Sequence, residues 1–153
     1  MTNIKGESNM GRKKYIRILV ATLVGSITIF LLGYLIFGIL LAPYTKIGEI
    51  HYQGLRKDPP DFLLLMLKNI VQAFLLVYLF EYVARIRTFL SAMKVGAIVM
   101  FLTTLSLNLS LLSIMNLNNG YITNILDIVG ETVRMALGGG VMGTVLALMD
   151  KGE

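Results

Sequence analysis

Hydrophobic residues in this chain form long uninterrupted stretches, and the charged residues lie mainly between them. No charged residue occurs at positions 18–45 or at positions 95–126. A helix needs about 20 mainly apolar residues to cross the hydrocarbon core of a bilayer, and each of these stretches is longer than that. Two further stretches are apolar except at a few charged positions. The pattern therefore predicts four transmembrane helices, at 15–41, 62–86, 89–115 and 121–149.

Residues that end or cap helices mark the boundaries of these stretches. Pro43 cannot continue a regular helix and ends the first one. Asp61 follows Pro59 and Pro60 and is placed to cap the second helix. The sequence NLNNG at 116–120 is typical of a turn. We expect three segments: a flexible basic segment at 1–14, a single four-helix transmembrane domain at 15–149 with one sizeable loop at 44–61, and a short C-terminal tail at 150–153.

The composition agrees with a membrane protein. Hydrophobic residues make up 56% of the 153 positions and charged residues 15%, whereas charged residues make up about a quarter of a soluble domain. The chain has no cysteine, which excludes disulfides, thiolate nucleophiles and cysteine-ligated metals. The first apolar stretch is longer than the roughly 7–15 residues of a signal-peptide core, so we expect it to be retained. The predicted fold is an all-α integral membrane bundle of four transmembrane helices.

The net charge of +5 is distributed unevenly along the chain. Several basic residues precede the first apolar stretch: Lys5, Arg12, Lys13, Lys14 and Arg17. A nucleic-acid surface would need a basic stripe interleaved with aromatic residues, and none follows, so no nucleic-acid binding is expected. Basic residues accumulate on the cytoplasmic side of membrane proteins, which predicts that both termini are cytoplasmic. We expect a multi-pass protein of a cell membrane, of the bacterial inner-membrane type, with the lipid bilayer as a partner.

The fourth predicted helix carries charged residues inside its apolar stretch. Asp127, Glu131 and Arg134 are spaced by four and by three, so they share one face of the helix. Counting about 1.5 Å per residue along the second helix places Lys68 at the depth of Asp127. The same count places Gln72 at the depth of Glu131. The sequence therefore predicts an intramembrane polar network made of Lys68, Asn69, Gln72, Asp127, Glu131 and Arg134.

Two interpretations of this network stay open. In the first, two bases and two acids neutralise one another and pin the helices together, which suits a structural, interaction or accessory component. In the second, Asp127 and Glu131 form a proton or cation site of a small transporter or channel-like protein, which at this chain length implies an oligomer. Ionisable residues inside a membrane are costly and are often functional. An ion pathway would more naturally leave one charge unpaired, so the balanced charges favour the first interpretation.

Small residues form a second feature of the fourth predicted helix. Gly139 and Gly143 make a GxxxG pair. Ala136 and Gly140 make a further small-xxx-small pair. Such surfaces allow two helices to approach closely, and close packing is the expected role. The packing partner is either another helix of the bundle, a second copy in a homodimer or a different membrane protein, and the sequence does not separate these.

The remaining polar residues of the spans have structural interpretations. A hydroxyl stripe on the third predicted helix favours close packing over a solute path. Its members are Thr103, Ser106, Ser110 and Ser113. Glu81 and Arg85 are four residues apart and predict a local ion pair. Arg87 follows at the helix end and is interpreted as an anchor for lipid headgroups.

No catalytic constellation is present in the sequence. His51 is the sole histidine, and its surroundings offer no further ligands, so no metal site is expected. Nucleophile elbows, HExxH motifs and phosphate-binding loops are absent. We therefore expect a protein that is not an enzyme and that holds no cofactor.

Two short stretches resemble a known family. The end of the first helix reads GYLIFGILLAPY, and the entry to the fourth reads NNGY. Both resemble a family of small bacterial four-helix integral membrane proteins of unknown function. The matching residues are Gly33, Tyr34, Phe37, Gly38, Asn119, Gly120 and Tyr121. The resemblance implies a four-helix topology over most of the chain, and it implies no functional residues because that family carries no assigned activity.

Overall fold

The computed structural model describes residues 4–45, 57, 59–115 and 121–150 of the chain. Every regular element in this part is a helix. The elements are α1 (Ile4–Gly33), a first π-helix (Tyr34–Leu40), α2 (Ala42–Thr45), α3 (Phe62–Tyr78), a second π-helix (Leu79–Val83), α4 (Phe89–Ile114) and α5 (Ile122–Asp150). Among the described residues, four helical segments are long and apolar enough to cross a membrane, namely Arg12–Leu40, Phe62–Val83, Phe89–Ile114 and Ile122–Asp150. The prediction of an all-α fold with four such helices is confirmed.

Local chemistry explains several of the helix ends. The Asp61 carboxylate accepts hydrogen bonds from the backbone N–H groups of Leu63 and Leu64, at 3.1 and 3.2 Å, so the predicted cap of α3 is confirmed. Pro43 lies in the short α2, after the first π-helix has ended. The structure starts α1 at Ile4, whereas the sequence places the start of this helix near residue 15.

Two ends of the bundle are defined by the direction of its helices. The Pro60 end is where α3 and α5 begin and where α1 finishes through the first π-helix. The Arg87 end is where α4 begins and α5 finishes at Asp150. Helix α1 lies between α3 and α5, and α4 packs on another side of α5. Direct contact between α3 and α5 is much more limited. Helix α5 is the most buried of the four.

The glycine surface of α5 packs against α4 of the same chain. A Cβ atom on Gly139 would lie 3.0 Å from the Ala92 carbonyl oxygen, and one on Gly143 would collide with the Ala92 Cβ atom. Gly96 of α4 is equally close, because its Cβ would lie 2.6 Å from the Met135 carbonyl oxygen. Such contacts are the kind by which small residues bring membrane helices together. A Cβ on Gly140 would meet the ring of Phe89, and Ala136 is half-buried.

Two of the spans change from α-helix to π-helix before they end. In the first π-helix the Leu41 N–H donates to the Ile36 carbonyl at 2.7 Å. In the second, the Ala84 N–H donates to the Leu79 carbonyl at 2.9 Å. Both bonds join residues five apart, which defines the π-helix, a rare element that is frequent at functional sites. Each π-helix adjoins one of the two polar clusters described below.

Candidate functional site

Glu131 of α5 is the centre of the polar network inside the predicted membrane region. The Lys68 Nζ atom of α3 lies 3.1 Å from the Glu131 Oε1 atom. The Arg134 Nη2 atom, one turn further along α5, lies 2.6 Å from the Glu131 Oε2 atom. Both bases therefore converge on one carboxylate, which links α3 to α5 where the two helices otherwise touch little.

Amide side chains of α3 occupy the other side of the Arg134 guanidinium. Its Nη1 atom donates to Asn69 Oδ1 at 3.4 Å, and its Nη2 atom donates to Gln72 Oε1 at 2.9 Å. A Cβ atom on Gly33 of α1 would lie 2.9 Å from the Nη1 atom, so the glycine leaves room for the guanidinium. Arg134 is only 5% exposed. A buried charge needs such partners because its desolvation is otherwise uncompensated.

Asp127 lies one turn before Glu131 on α5 and bonds α4. Its Oδ2 atom accepts a hydrogen bond of 2.9 Å from the Asn108 amide of α4, and the same amide donates to the Thr104 carbonyl at 3.0 Å. Within the part of the chain that the structure describes, no basic side chain lies within ion-pair distance of the Asp127 carboxylate. Asn108 contacts the network through Asp127, and the predicted network did not include it. An amide inside an apolar helix was the signal that could have identified it.

The pair between Arg134 and Glu131 within α5 is the one that the tilt of helical side chains predicts. The pairing between α3 and α5 differs by about one helical turn from the expected one. Counting along the sequence placed Lys68 level with Asp127 and Gln72 level with Glu131. The structure instead pairs Lys68 with Glu131, and Gln72 with Arg134. The count assumed that α3 and α5 begin at the same height. Each of these α3 residues meets a residue three or four positions later on α5 than the count implies, and an offset of about one turn, or about 5 Å, between the two helices accounts for this.

A cleft at the Pro60 end opens onto the network. Its volume is about 480 Å³, within the range of roughly 300–1,000 Å³ that is usual for small-molecule sites. Five of the six network residues line it, with Gln72 as the exception. The remaining wall comes from the end of α1 with the first π-helix and from the start of α3: Phe30, Gly33, Tyr34, Phe37, Gly38, Pro60, Phe62 and Leu65.

The network residues differ in how far they are exposed. The side chains of Arg134 and Glu131 are 6% and 11% exposed, so they form a fixed floor. The Lys68 side chain is 47% exposed, although its ammonium contacts Glu131. Asp127 is half-buried. The cleft therefore presents one accessible base and one accessible acid above an occupied ion pair.

A second polar cluster closes the Arg87 end of the bundle. The Glu81 carboxylate, on the second π-helix, lies 2.6 Å from Arg17 Nη2 and 2.6 Å from Arg87 Nη2. Asp150 at the end of α5 bonds the same two arginines, with Arg87 Nε at 2.6 Å. Two arginines and two acids thus alternate in a closed ring that joins α1, the α3–α4 turn and α5. Lys14 adds a further charge 4.0 Å from Glu81.

The ring corrects two interpretations drawn from the sequence. The expected Glu81–Arg85 ion pair is wrong, because Arg17 and Arg87 occupy the Glu81 carboxylate. Arg85 instead adopts a left-handed backbone conformation with φ of 47°, which turns the chain after the second π-helix. Arg87, interpreted as a headgroup anchor, points back into the bundle. The sequence signal for this ring is Glu81, an acid inside an apolar span, at the end of the bundle where the basic flanking residues also lie.

The hydroxyl stripe of α4 does not line the cleft. Thr103 donates to the Val99 carbonyl at 2.6 Å, Ser110 to the Ser106 carbonyl at 3.0 Å, and Ser113 to the Ser110 carbonyl at 2.8 Å. All four stripe residues are exposed on the outer face of α4. The expected packing role therefore has no counterpart inside this bundle. His51, Asn119 and Gly120 lie outside the described residues.

Comparisons with known proteins give no identity to this site. No protein-family model, no curated protein and no solved structure matches the chain. These comparisons therefore do not establish the small bacterial four-helix family that the sequence resembles. The part of the chain that the structure describes supports the topology alone, with four helices long and apolar enough to span a membrane. The chain is a helical membrane protein.

Proposed function

We propose that this chain is a small multi-pass binding or accessory component of a membrane, built on a charge-balanced support at Glu131. The observation that carries this proposal is the convergence of Lys68 and Arg134 on the Glu131 carboxylate. In lipid there is little hydrophobic drive for helices to associate, so polar contacts and close packing have to hold them together. The three side chains join α3 to α5, and Asp127 in the same cleft balances the one positive charge that they leave.

The supporting role of Glu131 has a measurable consequence. Removing one partner of a buried ion pair costs about 3–5 kcal/mol, because the other charge is left uncompensated. We expect Glu131→Gln and Arg134→Gln each to lower the free energy of unfolding by an amount in this range. The double variant should lose less than the sum of the two, with a coupling of about 0.5–3 kcal/mol, as is found for residues in one network.

The experiment is a double-mutant cycle on the full chain in mixed micelles. Unfolding is driven by SDS titration and followed by far-ultraviolet circular dichroism. Glu131→Gln combined with Asp150→Asn is the control pair, because the two residues lie roughly 28 Å apart along α5 and should be additive. Single variants that unfold with the free energy of the parent chain would contradict the supporting role and would favour the next candidate.

Transport is the second candidate function, and Asp127 is the observation in its favour. This carboxylate lines the cleft and bonds an amide, whereas Glu131 is occupied by two bases. Proton relays and many cation sites in membranes use an acid of this kind. Reconstituted liposomes would test it: flux that Asp127→Asn abolishes and Asp61→Asn preserves would support transport, in which case crosslinking would define the oligomer. Flux no greater than in empty liposomes would exclude it.

The orientation and cellular setting form part of the same proposal. The basic flank before the first span and the Arg87 end favour cytoplasmic termini in a bacterial inner membrane. The chain has no cysteine, so a single introduced thiol reports on one position. A membrane-impermeant maleimide should label Pro59→Cys in intact cells and leave Thr88→Cys unlabelled. The reverse pattern would overturn the orientation. We propose neither catalytic activity nor a cofactor.

A further inference from the structure

The cleft at the Pro60 end is electrically neutral as a whole but has unused polar capacity. Two bases and two acids line it. Glu131 and Arg134 are engaged with each other, and Arg134 also has two amide partners. The Lys68 ammonium donates to Glu131, and an ammonium group can donate three hydrogen bonds in all. From the described residues Asp127 receives one hydrogen bond, donated by Asn108, and a carboxylate can accept about four.

This arrangement of charged groups favours ligands that carry no net charge. A molecule with a net charge would disturb a balanced site at membrane depth, where uncompensated charge is costly. A zwitterion adds no net charge and can complement both open groups. Its ammonium would be held by the Asp127 carboxylate and its anionic oxygens by the Lys68 ammonium.

The walls of the cleft suit the apolar part of such a ligand. Four aromatic side chains line it: Phe30, Tyr34, Phe37 and Phe62. Aromatic faces attract ammonium groups as well as apolar groups. The first π-helix holds Phe37 against α5, because a Cβ atom on Gly130 would lie 2.9 Å from the Phe37 Cζ atom. The first π-helix and α5 together therefore place this aromatic wall beside the buried Glu131 and Arg134.

We infer that this cleft binds a small zwitterion that carries an ammonium group, an anionic oxygen group and an apolar portion. The inference rests on the proposed function, since Lys68, Glu131 and Arg134 must hold α3 and α5 in position for the cleft to exist. Two kinds of molecule carry this combination of groups. One is the headgroup of phosphatidylethanolamine, which enters from the bilayer, and the other is a free amino acid, which enters from the Pro60 end.

Two measurements on the full chain distinguish the sources. Native mass spectrometry of protein from nanodiscs that contain equal amounts of phosphatidylethanolamine and phosphatidylglycerol reports the lipid arm. Isothermal titration calorimetry in phosphatidylglycerol nanodiscs, with L-phenylalanine as the probe, reports the free-solute arm. Retention of phosphatidylethanolamine at least tenfold over phosphatidylglycerol supports the inference with a lipid source. Saturable binding of L-phenylalanine supports it with a free source.

Half-ligands and one matched pair of variants test the mechanism. Phenethylamine lacks the anionic group and hydrocinnamate lacks the ammonium, so each should bind at least tenfold more weakly than L-phenylalanine. Asp127→Asn keeps the shape and still accepts from Asn108, and it should reduce retention or binding at least tenfold. Asp61→Asn is the control, because asparagine also caps helices and Asp61 does not line the cleft.

The results that overturn the inference differ from those that overturn the proposed support. Failure of both probes to bind, or binding that Asp127→Asn leaves unchanged, refutes the zwitterion site. If the double-mutant cycle at Glu131 still shows coupling in that case, the support stands without the ligand. If the cycle shows none while a zwitterion binds through Asp127, the cleft is a ligand site and the supporting role is wrong.

Discussion

Replacement of Glu81 by glutamine should destabilise the chain more than any other single change in the ring at the Arg87 end. The Glu81 side chain is 2% exposed and accepts from two arginines at 2.6 Å each. Glutamine keeps one acceptor oxygen, so one arginine retains a partner there. The other loses its bond to residue 81 and keeps the one to Asp150, and the Glu81 charge that compensated both arginines disappears.

The magnitude follows from the burial of the partners. Removing one member of a buried ion pair costs about 3–5 kcal/mol. Arg87 is 24% exposed, and Asp150 continues to bond both arginines. These features reduce the expected loss to below that range, at about 2–3 kcal/mol. Asp150→Asn is the matched control within the same ring, and its 40% exposed side chain predicts a loss below about 1 kcal/mol.

SDS titration in mixed micelles, followed by circular dichroism, measures both variants under the same conditions. A cycle that combines Glu81→Gln with Arg87→Gln should show coupling, because the two residues share a bond. If Glu81→Gln and Asp150→Asn unfold within about 0.5 kcal/mol of each other, the ring contributes as an exposed surface network would. The argument from burial would then be refuted.

Two further predictions concern α4. Gly96→Ala should lower the free energy of unfolding by about 1–3 kcal/mol, because the new methyl group meets the Met135 backbone. Gly38→Ala is the control and should be tolerated, since the atom nearest to its new methyl group is a Tyr34 ring carbon at 3.3 Å. Equal SDS midpoints for the two variants would contradict this prediction. Asn108→Ala should cost about 1–3 kcal/mol because the Asp127 carboxylate loses its side-chain donor. In the same titration the exposed Ser106→Ala should change stability by less than about 0.5 kcal/mol, and an equal loss would contradict the role of Asn108.

The helices follow from the sequence because hydrocarbon imposes a strong and simple length requirement. A long apolar stretch cannot be a loop in lipid, so the four long apolar stretches give four helices, although two of them carry a few charges. The π-helices do not follow from it. The change from a four-residue to a five-residue hydrogen-bond spacing leaves no distinct hydrophobic pattern in a helix that is apolar on all sides. Leu40 and Val83 are ordinary span residues by composition, and only the backbone distinguishes them.

The sequence predicts which residues form the candidate site better than it predicts which of them pair. Charged residues are so costly in an apolar span that Lys68, Glu131 and Arg134 stand out without a structure. Their partners depend on the relative height of α3 and α5, which no residue encodes locally. The ring at the Arg87 end was missed for a different reason. Arg17 and Asp150 lie in flanks where lipid headgroups and water already account for charge, so their inward contacts carry no sequence signal.

The two ways in which α5 meets its neighbours explain why the charges matter most on one side. Against α4, glycines bring backbone close to backbone, and the contact needs no charge. Against α3, backbone contact is sparse, and the side chains of Lys68, Asn69 and Gln72 reach across to Glu131 and Arg134. Polar side chains here replace the packing that small residues supply elsewhere. The position of α3, and with it the volume of the cleft, therefore depends on Glu131 in a way that the position of α4 does not.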